Sequence, residues 1–171
     1  MICGFCNLGE VEKALVLFER MKMEGYEPNE FTWNAIRATY ARLGDSRKAF
    51  GFMERMKTEG FVPDVVAWNA LISGFVQNRQ VEEVFKMFPK MLVSRICPNQ
   101  VTFAALLPAC GSVGSIKWGR EIHVFLCRKG FDANVFIASA LIDMYSKCGS
   151  LRDARNVFDR LIVRMLRHGM Q

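Results

Sequence analysis

The sequence predicts an all-α protein, an α-solenoid of stacked two-helix units, and three observations carry that prediction. Similar spellings recur: "PNEFTWNAIRATY" begins at Pro28, "PDVVAWNALISGF" at Pro63 and "PNQVTFAALLPAC" at Pro98. Several residue columns hold that 35-residue spacing along the chain without an insertion. Within each unit the apolar residues fall at helical intervals. A compact enzyme has no reason to repeat its spelling, whereas an array of stacked units does.

With Glu30, Val65, Gln100 and Val135 as starting points, the expected units are 30–64, 65–99, 100–134 and 135–165. An incomplete unit, 1–29, precedes them and a divergent tail, 166–171, follows. A mid-unit glycine recurs as Gly9, Gly44, Gly114 and Gly149, with Arg79 the exception. A small residue follows as Ala14, Ala49, Gly119 and Ala154, with Val84 larger. Next come Phe18, Met53, Phe88 and Phe158, with His123 in the same column. Met21, Met56, Met91, Leu126 and Leu161 complete the pattern.

Each unit reads as two helices. In the first, Trp68, Leu71, Ile72 and Phe75 share one face, as do Trp33, Ile36 and Tyr40, and Leu141, Ile142 and Tyr145. The turns are "RLGD", "QNRQ", "SVGS" and "KCGS", where glycine can take the left-handed conformation that ends a helix. Asp45, Ser115 and Ser150 are placed to cap the second helices. Those helices, such as "VEKALVLFERMKMEG" and "SRKAFGFMERMKTEG", are amphipathic and end at Gly25 and Gly60. Pro28, Pro63 and Pro98 then block continuation and push the preceding residue toward extended geometry. Such hairpins cannot bury their apolar faces alone, so they stack.

Composition bounds the function. Of 171 residues, 51% are hydrophobic and 23% charged, an ordinary globular balance. No apolar run approaches the ~18 residues that span a membrane. The net charge of +6 suits a polyanionic partner without proving one. The cysteines are Cys3, Cys6, Cys97, Cys110, Cys127 and Cys148, beside or within apolar segments, and read as reduced, buried thiols of an intracellular protein. Cys3-x-x-Cys6 has no second pair and makes a poor zinc site. The opening "MICGFCNLGE" has neither a secretory signal's apolar core nor an Arg- and Ser-rich transit character.

At this level of detail the chain resembles the pentatricopeptide repeat family, most closely in "VVAWNALISGF", "LFERMKMEGYEPN" and "LIDMYSKCGSLRDARNVFDRL". The last two units look like the long and short variants of the plant subclass that mixes unit types. The 34-residue tetratricopeptide signature does not fit. The resemblance implies a right-handed solenoid of the tetratricopeptide-like superfamily that binds single-stranded RNA, one base per repeat. It further implies a role in organellar RNA processing or modification, C-to-U editing through editing-factor proteins above all. The compartment implied is mitochondrion or chloroplast, with mitochondrion slightly favoured.

Base readers follow from the same resemblance: the residue after the first-helix aromatic and the residue closing the unit. In 30–64 these are Asn34 and Asp64, a combination resembling the family's pair for uracil. In 65–99 they are Asn69 and Asn99, associated with pyrimidines. In 100–134, Ala104 cannot read a base edge and Asn134 closes the unit; in the last unit Ser139 is the first reader and the closing place falls near Met165. Phe31, Val66, Val101 and Phe136 are the expected base-sandwiching residues, and Arg42 and Lys147 the expected phosphate contacts. An asparagine amide offers a donor and an acceptor to a pyrimidine edge, which makes the reader assignment physically reasonable.

Plainer alternatives stay open. An asparagine early in a helix is often a cap. Arg42 and Lys147 can be solvated charges, and the groove can serve as a protein–protein scaffold. No catalytic constellation is present in the sequence: the zinc-deaminase H-x-E and P-C-x-x-C pattern is absent. The expectation is therefore a binding module, not an enzyme, with no cofactor, metal, membrane or small-molecule substrate. The repeat phase places Met1 inside a first helix, and "RHGMQ" looks like the turn of a further unit. A fragment, a truncated gene model or a shortened, non-functional paralogue is thus expected, with apolar surface at each end such as Phe5 or Leu161.

Overall fold

The computed structural model describes residues 1–131 and 134–168, the side chains of 167 and 168 apart. Of the turn expected in "RHGMQ", residues 167 and 168 are helical and 169–171 lie outside these, as do residues 132 and 133 of the expected unit 100–134. Among the described residues there are ten α-helices and no strand. They belong to two compact units, Met1–Cys97 and the residues from Pro98 onward.

The first unit holds α1 (Ile2–Asn7), α2 (Val11–Met23), α3 (Glu30–Arg42), α4 (Ser46–Thr58), α5 (Val65–Gln77) and α6 (Val81–Val93). Helix α3 packs against α1 and α5 on its flanks and against α2 and α4. In the second unit, α7 (Gln100–Ser112) packs on α8 (Ile116–Lys129) and α9 (Val135–Lys147), and α10 (Leu151–His168) packs on α9.

The helix starts are fixed by side chains. Asn29 accepts from the Thr32 amide at 3.0 Å, Asp64 from the Ala67 amide at 2.8 Å, and Asn99 from the Thr102 amide at 3.1 Å. Asn134 accepts from the Phe136 and Ile137 amides at 2.9 and 3.3 Å. Each satisfies a first-turn N–H that has no partner within the helix. Among the second helices, Asp45 caps α4 through the Lys48 amide at 2.9 Å. Ser115 differs from expectation: it occupies the N-cap place of α8 without a side-chain cap bond.

The hairpin turns need a left-handed residue, and Gly44 supplies one at φ +80°. Where the sequence has Arg79 instead, the backbone adopts the same region at φ +56°. Backbone geometry, not the residue type, is what the turn repeats.

Trp33, Ile36, Phe18, Met53 and Met56 are fully buried, and Phe18 meets Trp33 edge-on at 4.7 Å between ring centres. Trp68, Leu71, Ile72 and Phe75 form the matching core of the next hairpin. Two expectations fail near the end of the second unit. Phe158 is 47% exposed although its column predicts packing, and Leu161, expected to be open, is buried. Helix α10 turns Leu161, Val157 and Ala154 inward, which places Phe158 on its outer side. Ile142 is only half-buried; Met144 takes the inward place beside Leu141 and Tyr145. Nor are all the thiols buried: Cys6 and Cys110 are, but Cys3 and Cys97 are exposed.

Candidate nucleic-acid interface

The expected sandwiching residues all lie in the first turn of a first helix, on its outer side. Phe31 on α3 is 81% exposed, Val66 on α5 60%, Val101 on α7 56% and Phe136 on α9 62%. Folding normally hides such side chains, and each here sits beside a capped helix start, so its exposure is held by a defined backbone. The rings of Phe31 and Phe136 can stack on a base, and the branched side chains of Val66 and Val101 can pack against one.

Asn34 follows Phe31 by three residues and so lies on the same side of α3. It is half-buried, and so is Asp64 across the start of α5. Asn69 occupies the corresponding place on α5 and is 9% exposed. Ser139 on α9 is exposed, and Ala104 on α7 offers only a methyl group at an exposed place. The closing residues Asp64, Asn99 and Asn134 are N-caps in this structure. The capping alternative for Asn34 and Asn69 therefore does not hold: Asn29 and Asp64 cap α3 and α5, and both asparagines lie a full turn inside the helix.

Beneath Asn34 lies a residue the sequence did not single out. Arg37 is fully buried, and its Nη2 donates to Asn34 Oδ1 at 2.9 Å. Its Nη1 reaches Met53 Sδ at 3.9 Å, and its Nε has no partner. Burial pushes the guanidinium down to about 10, opposed by the charge of Asp64, so it stays protonated at neutral pH. A signal was present in the sequence: the same place in the other units holds Ile2, Ile72, Leu107 and Ile142, and only this unit substitutes an arginine.

The expected phosphate contacts are engaged within the protein. Arg42 Nη2 donates to the Cys6 carbonyl oxygen near the end of α1, which also accepts from the Gly9 amide. Lys147 donates to Asp143 Oδ2 at 2.7 Å in an exposed pair that water screens heavily. Between α1, α3 and α5 a cavity of about 270 Å³ is lined by small residues such as Ala35, Ala38 and Ser73, together with Arg42. Among the described residues no group of three or more metal-ligating side chains gathers. No described helix is long and apolar enough to cross a membrane.

Known proteins resemble this chain in sequence and in fold. The model described as the PPR repeat family matches residues 1–36 and 63–112; that of the pentatricopeptide repeat domain matches 37–78, and that of the PPR repeat 136–169. A putative pentatricopeptide repeat-containing protein of Arabidopsis thaliana is 47% identical over 60 residues, 35% of this chain and 8% of the relative. A chloroplastic one from the same plant is 47% identical over 57 residues, 33% of this chain and 7% of the relative. The chain thus spans under a tenth of the length of these relatives.

Among solved structures, the maize pentatricopeptide repeat protein PPR10 superposes with a TM-score of 0.81 at 24% identity, over 95% of this chain and 23% of that one. The same protein in complex with an 18-nucleotide psaJ RNA element superposes at 0.59 and 19% identity, over 94% of this chain and 27% of that one. The fold is accordingly an all-α solenoid of two-helix repeats. Matched over more than half its residues, the chain belongs to the pentatricopeptide repeat family.

Proposed function

We propose that this chain is a sequence-specific, single-stranded RNA-binding module without catalytic activity of its own. The observation that carries the reading is on α3: an exposed phenylalanine, Phe31, followed one turn later by an amide, Asn34, whose orientation the protein fixes. Phe31 would stack on a base and Asn34 would address its edge, with Asp64 closing that unit. Val66, Val101 and Phe136 would take the same stacking role. Asn69, Asn99, Asn134 and Ser139 are the further readers, while Ala104 makes its unit a weak one. We assign the repeat units as 30–64, 65–99, 100–134 and 135–165.

Two structural relatives support the ligand class: PPR10 is solved with an RNA element and the PPR domain of protein-only RNase P 1 with tRNA. Several curated relatives are named chloroplastic, which favours a plastid and lends nothing to the mitochondrion. The finer reading is organellar RNA processing, with C-to-U editing through editing-factor proteins and membership of the plant subclass of mixed unit types. The rival is a protein–protein scaffold, which the same exposed apolar residues would suit. Selection from randomised single-stranded RNA separates the two. A base-reading module enriches a short motif with uracil opposite the Asn34 unit; a scaffold enriches none.

A further inference from the structure

We propose that Arg37 is a positioning residue that holds the Asn34 amide with its NH2 group outward, so that this unit selects a base bearing a carbonyl rather than an amino group at the contacted edge. The inference rests on the RNA-binding reading above and adds the residue that sets the unit's choice.

A primary amide can present either its oxygen or its NH2 by a half-turn, and so can serve as acceptor or donor to a base. A guanidinium carries five N–H donors and no acceptor. Beside Arg37 Nη2, 2.9 Å away, the amide must therefore keep its oxygen inward; the flipped amide would set donor against donor. Arg37 is fully buried and forms no ion pair among the described residues, so its remaining interactions are poor substitutes: a thioether at 3.9 Å and an unpartnered Nε. A buried donor left unmet is costly, which locks Asn34 in one orientation.

The consequence is chemical. A donor-only Asn34 can bond the carbonyl at position 4 of uracil or position 6 of guanine. It opposes the amino groups that cytosine and adenine present at the same place. The neighbouring unit carries Ile72 where this one carries Arg37, so the constraint belongs to this unit. An arginine in an aliphatic column gives up packing for a contact that only Asn34 uses well, which is hard to explain as core filling alone.

The test has two arms on the full chain. The first needs no RNA: a double-mutant cycle of Asn34→Asp and Arg37→Met, read by urea unfolding. Asn34→Asp should raise the midpoint with Arg37 present, because the guanidinium gains a carboxylate, and lower it in the Arg37→Met background. Equal effects in both backgrounds would mean the pair is uncoupled and would overturn the proposal. The second arm measures affinity for oligouridine nonamers in which one uridine at a time becomes cytidine, adenosine or guanosine. Wild type should favour uracil and guanine about fivefold or more at one position. Arg37→Met should bring the four bases within about twofold, and Asn34→Asp, now acceptor-only, should invert the preference. Should Arg37→Met fail to fold, Arg37→Lys keeps a donor and should keep the wild-type ranking. An unchanged ranking in both Arg37→Met and Asn34→Asp overturns the base-choosing role. Coupling in the first arm without binding of any nonamer overturns the RNA reading itself and leaves a purely structural contact.

Discussion

Gly74 on α5 lies directly against Ala41 on α3: a Cβ built at Gly74 would stand 2.6 Å from the Ala41 Cβ and 2.9 Å from the Arg42 amide nitrogen. Neither neighbour is the end of a flexible side chain. The two first helices therefore meet closely at their C-terminal ends. Gly74→Ala should destabilise the first unit by about 1–3 kcal/mol, as overpacking does. Its urea midpoint should fall, while Gly51→Ala, in open space at a helical position, should not lower it.

Arg79 and Arg95 hold left-handed backbone at φ +56° and +58°, conformations that cost an ordinary side chain. Arg79 is exposed. Arg79→Gly should therefore stabilise the chain by on the order of 1 kcal/mol. A lower unfolding midpoint would show that the side chain makes a compensating contact.

Acid sensitivity should come in part from Glu19. The Arg55 guanidinium, donating to both its carboxylate oxygens at 2.5 and 3.0 Å, holds its pKa below the usual 4.5. A depressed acid contributes stability above its unfolded value and loses it as pH falls through the folded one. Stability should thus decline below about pH 4.5, where the unfolded carboxyl begins to protonate. Glu19→Gln should flatten that decline slightly, since the pair is partly exposed and water screens it. A steeper decline in the variant would contradict the assignment.

Arg42 and Lys147 should reveal themselves in salt dependence. If each faces a phosphate, replacing either by alanine should reduce the slope of log affinity against log salt by about 0.7. It should do so without altering base preference. Titrations at several salt concentrations measure both quantities at once. An unchanged slope for Arg42→Ala would mean that its bond to the Cys6 carbonyl oxygen is its whole role.

The hairpin phase was legible because proline precedes three of the units and glycine marks most of the turns; that Asn29, Asp64 and Asn99 cap the first helices emerged only from the structure. The outward Phe31 and Phe136 were legible only through the family's pattern, since helical periodicity alone does not say which apolar side chain stays open. The turn at Arg79 was legible from the repeat phase without its glycine, because left-handed geometry belongs to the backbone and is only advertised by glycine. Phe158 misled because a column fixes a place in the repeat, whereas burial depends on which helix covers it; α10 faces α9 through Ala154, Val157 and Leu161 instead. Arg37 was legible only in part: its column of isoleucine and leucine marks a buried place, but nothing in the sequence names Asn34 as its partner there.

The central claim is that Asn34 reads a base in single-stranded RNA. It is tested most directly by four RNAs that differ only at the base opposite the 30–64 unit, bound to the wild-type chain and to Asn34→Thr with Asp64 kept. The account predicts that wild type prefers uracil, and that the variant shifts away from uracil toward a purine, because the hydroxyl replaces an outward NH2 donor. One good base contact corresponds to about 1–3 kcal/mol, well within the reach of fluorescence anisotropy. Equal binding of all four RNAs before and after the substitution would contradict it.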